Sequence, residues 1–270
     1  MSFWEKYQEI IKRNKSYVCV GLDSDISKLP ECLKKDKNPI FSFNKEIIDY
    51  TKDYVGAYKP NFAFYLAAGK LGLKALEETI DYIPSYIPII LDVKTGDIGN
   101  TMEQYASAFY EIWKCDAITV NPLMGHDVYK PLLSFKDNFF FSLALTSNPT
   151  SADYLKREDL YKAIASDLTA LPVNQAGAVV GATNSNELGL LRKLMPETLF
   201  LVPGIGAQGG SVEEVVKFAG AKPDDLRILI NSSRGIIFKD SSSLFAETAE
   251  READKLRKEI NSYIEAKKTQ

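Results

Sequence analysis

Eight short apolar runs recur along the chain, at 17–22, 55–59, 87–94, 117–121, 139–145, 176–181, 199–203 and 228–231. Each is too short for an independent helix and is rich in Val, Ile, Phe or Leu, the composition of parallel strands buried on both faces. Helical patterns lie between most of them. After Asn100, Thr101 and Gln104 have the spacing of a capping box, and Tyr105, Phe109, Ile112 and Trp113 then share a face. Near the end of the chain Phe245, Ala249, Ala253, Leu256, Ile260 and Tyr263 keep three-and-four spacing, with charged residues between them. Strands and helices alternating at intervals of about 20 to 40 residues predict a (β/α)8 TIM barrel rather than an open doubly wound sheet. No Pro/Gly/Ser-rich linker or low-complexity segment divides the 270 residues, so one barrel domain is expected over 1–270.

Several function classes drop out early. Lys and Arg total 33 against 36 Asp and Glu, a net charge of −3, which leaves no basic excess for a nucleic acid. No uninterrupted apolar run reaches the roughly 18 residues of a membrane span, and residues 1–15 are charged and amphipathic, unlike a secretory signal. A cytoplasmic protein is expected. Cys19, Cys32 and Cys115 are odd in number and lack metal-ligand spacing, so they read as reduced thiols. His126 is the single histidine, which excludes clustered-His metal sites. Chemistry falls to Lys, Asp and Arg.

In a barrel of this kind reactive groups collect where strands end at the C-terminal face. Asp92 and Lys94 leave the third run two residues apart, on one face of an extended segment, with Asp97 in the following loop. A solvated ion pair is the plain alternative, but a charge cluster leaving a barrel strand points into the mouth, where pairing must offset desolvation. Lys59 ends the second run before Pro60, within reach of those charges, although a lysine there could also snorkel to the surface. Asp23 ends the first run and either binds a ligand hydroxyl or caps the next turn. After runs seven and eight come PGIGAQGG and NSSRGI, on the two loops that often form a barrel's phosphate site. Their small residues admit an anion to backbone amides, while Gln208 and Arg234 add side-chain donors. The loop TSNPTSADYLKRED after run five is either a flap over the mouth or an exposed loop, and His126 either faces a ligand or donates within its loop.

The ordered set GLDSD, YKPNFAFY, LDVKTGDIGNT, NPLMG, TSNP, PGIGAQGG and NSSRGI resembles the orotidine 5'-phosphate decarboxylases, specifically their longer bacterial and protozoan subgroup. The resemblance spans nearly the whole chain, and its most specific element is the Asp-x-Lys-x-x-Asp-Ile-Gly-Asn-Thr motif joined with the upstream Lys-Pro-Asn. Val93 and Thr95 stand where Ala and Arg are more usual, leaving the charged positions intact. What the resemblance implies is a stand-alone, cofactor-independent enzyme that makes uridine 5'-phosphate (UMP) from orotidine 5'-phosphate (OMP), working as a homodimer with shared active sites. By residue matching, Lys59, Asp92, Lys94 and Asp97 form the catalytic tetrad, with Lys94 the proton donor and Asp97 entering the partner subunit's site. Asp23 and Lys59 would address ribose hydroxyls. Ile98 and Thr101 would come from the partner, Ser147 would contact the pyrimidine, and Pro203, Gln208 and Arg234 would lie toward the phosphate.

The residue types fit that chemistry. Loss of carbon dioxide from C6 leaves charge in an orbital that cannot delocalise into the ring, and no thiamine or pyridoxal site is evident to absorb it. A fixed ammonium stabilises such a charge and can protonate it. Two rivals make different demands. A magnesium-dependent phosphosugar decarboxylase or synthase on the same barrel would want an acidic metal ligand at the end of strand two, where Lys59 stands. A barrel that merely binds a nucleotide phosphate would keep Gln208 and Arg234 without needing the tetrad.

Overall fold

Strands form at all eight apolar runs: β1 Val18–Leu22, β2 Ala57–Pro60, β3 Ile90–Thr95, β4 Ala117–Val120, β5 Phe139–Leu145, β6 Ala176–Val180, β7 Leu199–Val202 and β8 Ile228–Ser232. The computed structural model describes residues 1–206, 209–222 and 225–268. Every strand pairing is parallel, in the order β2-β1-β8-β7-β6-β5-β4-β3. The circle is nearly completed between β2 and β3 by two parallel bridges, Tyr58 with Ile89 and Asn61 with Asp92.

The strand interiors are apolar on both faces because each face has its own core. Cys19, Ala57, Ile90, Ala117, Phe139 and Leu229 are among the residues filling the barrel interior. Their neighbours Val18, Val20, Leu91, Ile118, Phe140 and Ile230 pack outward beneath the helices. This two-sided burial explains the unbroken apolar runs. The first helix, Phe3–Asn14, seals the end of the barrel opposite the strand C-termini. Ser2 and Glu5 form a reciprocal capping box at its start. Phe3 stacks on Phe139 at 4.5 Å, and its N–H donates to the Asp137 carbonyl at 2.8 Å. Lys6 reaches Asp116 at 2.6 Å, and Asp116 also accepts the Ile89 N–H at 2.9 Å.

The helix after β3 differs from expectation. It spans Gly99–Ser107 with Ile98 at its N-cap and no side-chain cap, so Thr101 already lies in the first turn and the Thr101–Gln104 box does not form. A wider turn continues it over Ala108–Ile112, and the buried face is Met102, Ala106, Phe109 and Tyr110, leaving Tyr105 and Ile112 in solvent. The last helix, Phe245–Lys268, buries the expected stripe, ending on Ile264 where Tyr263 was expected. Its Phe245 stacks on Phe43 of the helix Pro39–Thr51 at 5.2 Å, closing the outer layer. Among the described residues no helix is long and apolar enough to cross a membrane.

Candidate active site

A cavity of about 410 Å3 opens at the C-terminal ends of the strands, and charges from β1, β2 and β3 line one side of it. Lys59 and Asp92 are buried and meet at 2.7 Å. Lys94 binds the other oxygen of the same carboxylate, so Asp92 sits between two ammonium groups. The two lysines differ in access: the Lys59 side chain is 5% exposed and that of Lys94 49%. Burial alone would depress the Lys59 ammonium, but Asp92 and then Asp23 raise it above the ordinary lysine value. Burial likewise works against the Asp92 charge, and Lys59 with Lys94 overcomes it, holding the carboxyl well below the usual range.

Plain strand alternation would put Asp92 and Lys94 on one face without fixing either against the other. Leu91 pairs with Ile118 and Thr95 with Val120, so three residues of β3 face Thr119 alone on β4. Within this bulge Lys94 adopts a left-handed backbone, φ 47°, a conformation that a side chain bearing a Cβ rarely takes. The Thr119 hydroxyl accepts the N–H groups of Val93 at 3.0 Å and Lys94 at 2.9 Å, and donates to Asp92 Oδ1 at 2.9 Å.

Asp23 lines the cavity, while Asp25 takes the capping role, its carboxylate accepting the Ser27 N–H at 3.0 Å. The Oδ1 of Asp23 is buried without a hydrogen-bond partner, an acceptor facing a site that a donor on a ligand would satisfy. Across the cavity Leu143, Val179 and Leu201 give an apolar wall, with Thr146, Ser147 and Asn148 at its rim. The remaining edge carries Pro203, Gly204 and Ile205 after β7 and Ser232, Ser233 and Arg234 after β8. Gly204 and Gly206 hold φ of 99° and 75°, backbone conformations open to glycine. Gly21 must lack a side chain for another reason: a Cβ there would lie 1.9 Å from Ser233 Oγ. Among the described residues Arg234 has no carboxylate partner, leaving its guanidinium available to an anion.

Lys59, Asp92, Lys94, Asp23, Ser147, Pro203 and Arg234 therefore converge on one cavity, and Asp97, Ile98 and Thr101 do not line it. Asp97 accepts the N–H of Ile98 at 2.8 Å, and Ile98 and Thr101 face solvent. Gln208 lies outside the described residues. His126 pairs with Asp167 at 3.2 Å on the exposed surface, away from the cavity. The sequence reading missed Thr119, Asn231 and the apolar wall. The parity of the fourth strand would have flagged Thr119, since Ala117 two residues earlier faces the barrel interior.

The model of a family described as "Orotidine 5'-phosphate decarboxylase / HUMPS family" matches residues 16–247. Orotidine 5'-phosphate decarboxylase of Christiangramia forsetii is 46% identical, the alignment covering 98% of this chain and 99% of that relative. The corresponding protein of Bacteroides fragilis is 43% identical, over 96% of this chain and 97% of its own. Among solved structures, OMP decarboxylase of Leishmania donovani is similar with a TM-score of 0.82 at 33% identity, covering 98% of this chain and 99% of that one. The UMP synthase of the same organism matches with a TM-score of 0.83 and 35% identity over 98% of this chain, which spans 57% of the synthase.

Proposed function

The chain belongs to the orotidine 5'-phosphate decarboxylase / HUMPS family and catalyses decarboxylation of OMP to UMP, and from that premise we propose that Lys94 carries the chemistry. The observation supporting this is the Lys59–Asp92–Lys94 chain of charges at the cavity mouth. As the bond from C6 to the carboxylate breaks, carbon dioxide departs and the electron pair stays on C6. The Lys94 ammonium opposes that charge and then delivers a proton to C6, recovering one from solvent through its half-exposed position. Asp92 holds the Lys94 ammonium in place, while the substrate carboxylate, brought near Asp92, is repelled. At about 4 Å two like charges interact by roughly 4 kcal/mol at an effective dielectric near 20.

Asp23 and Lys59 address the ribose hydroxyls, Ser147 the pyrimidine, and Pro203, Gln208 and Arg234 the end toward the phosphate. Phosphate binding far from C6 supplies energy that holds the reacting carboxylate in place. A magnesium-using relative would carry an acidic ligand at the end of β2, and Lys59 drawn onto Asp92 opposes that alternative. We further propose a homodimer in which Asp97 of the partner subunit, with the partner's Ile98 and the partner's Thr101, completes each site. This is supported by the absence of Asp97 from its own cavity and by exposed Ile98, Tyr105, Ile112, Leu123 and Met124 on the elements following β3 and β4. Residues 1–270 act in this reading as one barrel domain in the cytoplasm, consistent with three unpaired cysteines.

The deciding assay incubates purified protein with OMP in excess chelator, following loss of pyrimidine absorbance and appearance of UMP. Turnover without added metal or cofactor is the expected result. Inactivity of folded protein, or strict magnesium dependence, overturns it.

A further inference from the structure

Thr119 touches both the carboxylate and the backbone of the segment that carries Lys94. Its side chain is buried, and its hydroxyl has one hydrogen to give and two lone pairs to receive with. Both lone pairs are taken by the N–H groups of Val93 and Lys94, which can only donate. The hydrogen is thereby directed at Asp92 Oδ1, the oxygen that also holds the Lys94 ammonium. Three consecutive residues of β3 are thus tied to a single atom of β4.

The tie acts where the backbone is least favourable. In a regular parallel pair the N–H groups of Val93 and Lys94 would find acceptors in a neighbouring strand's ladder, but the bulge removes that pairing. Without the hydroxyl, two N–H groups near a buried carboxylate lose their acceptor, and the left-handed Lys94 backbone loses its brace. Relaxation of Lys94 toward an ordinary extended conformation would swing its side chain off Asp92.

We propose that Thr119 is a positioning residue for decarboxylation: its hydroxyl holds the strained Lys94 backbone and the ionised Asp92 carboxylate in the geometry that presents the Lys94 ammonium to C6. This rests on the assignment of Lys94 above. Thr119→Val keeps the shape and removes the hydroxyl, and Thr119→Ser keeps the hydroxyl. The valine variant should lose about ten- to a hundredfold in kcat, the range for removing a hydrogen bond to a charged group, with KM for OMP within about threefold of the parent. UMP has no reacting carboxylate and should bind the valine variant within about threefold of the parent. The serine variant should recover most of the lost kcat. If Thr119→Val does not fold, Thr119→Ala is judged by the same limits.

Two further measurements separate this inference from the assignment beneath it. Lys94→Ala alone tests the assignment, and near-parent turnover there overturns both. If Lys94→Ala keeps only a small residual turnover, as expected, adding Thr119→Val to it should lower that residual rate by less than about threefold, because the hydroxyl acts through Lys94 and its partner. Parent-like kcat in Thr119→Val, no recovery in Thr119→Ser, or the full loss repeated in the Lys94→Ala background each overturns the positioning role.

Discussion

Replacing Asp92 with asparagine exposes how tightly the charges at the cavity mouth are matched. The carboxylate accepts from Lys59 at 2.7 Å on one oxygen, and from Lys94 and from Thr119 at 2.9 Å on the other. An amide cannot reproduce this in either orientation. With its oxygen toward Thr119, its NH2 group meets the Lys59 ammonium, donor against donor. Turned over, the NH2 group meets Lys94 and a Thr119 oxygen whose two lone pairs are already occupied. Lys59 is left buried, with Asp23 as the carboxylate still acting on it.

At the observed 2.7 Å, the direct attraction between Lys59 and Asp92 is about 6 kcal/mol at an effective dielectric near 20. Removing one partner of such a buried pair costs about 3–5 kcal/mol, and Asp23 places this case near 3. Asp92→Asn should therefore lose about 3 kcal/mol at pH 7 by chemical denaturation, with Tm lower by roughly 6 to 12 °C. The pH dependence carries the sign. In the parent, the raised Lys59 value gives a stabilisation present below the unfolded lysine value of about 10.4 and lost as pH climbs through the folded one. In the variant the carboxylate that most raises Lys59 is gone while burial still opposes its charge, so the folded value falls below the parent's. The part of the deficit that comes from Lys59 therefore shrinks as pH rises through the variant's lowered value toward the parent's. A deficit under about 1 kcal/mol at pH 7, or one that grows as pH rises from about 7 to about 10, refutes this account.

Arg234→Ala should lower kcat/KM for OMP by about ten- to a hundredfold and change use of unphosphorylated orotidine less than threefold. Equal damage to both substrates would remove Arg234 from the phosphate site. Lys94→Ala and Asp97→Ala should each be nearly inactive alone, yet regain activity on subunit exchange, up to about one working site per mixed dimer. Failure to recover despite demonstrated exchange would return Asp97 to its own barrel. Arg192 is buried at the opposite end of the barrel and donates to the carbonyls of Ala219, Met195, Thr198 and Arg227 at 2.6, 2.9, 2.7 and 3.0 Å. Arg192→Met should cost about 2–4 kcal/mol of stability in denaturant titration while leaving kcat within about twofold, and a large kcat effect would contradict its distance from the mouth.

The strands were legible because a parallel strand with core on both faces shows neither alternation nor breaks, and little else in a soluble chain has that pattern. Charges interrupting such runs at their ends were legible for the same reason, which is how Lys59, Asp92 and Lys94 stood out. The helix after β3 was less so. Its start depends on Gly99, whose φ of 54° turns the chain, and the Thr101–Gln104 spacing imitates a cap that the backbone does not need there. Thr119 was hidden by its chemistry, since threonine is an ordinary strand residue and only strand pairing shows three donors and acceptors gathered at its hydroxyl.

The regularity that makes the fold readable is abandoned at the site itself. Two residues apart on an ideal strand, Asp92 and Lys94 would stand side by side and aim in parallel at the mouth. A parallel pair of long side chains can touch, but neither is fixed against the other. The bulge opposite Thr119 instead bends β3 so that the Lys94 side chain closes onto the Asp92 carboxylate from a backbone conformation that lysine seldom adopts. Such a conformation costs on the order of 1–3 kcal/mol and persists only where its surroundings enforce it. Here the enforcing groups are the Thr119 hydroxyl and the Lys59–Asp92 pair, each contributed by a different strand. Placement of the ammonium is thus a property of three neighbouring strands of the barrel rather than of the motif alone. The same Asp-x-Lys spacing on an isolated hairpin or a surface loop would be a solvated ion pair.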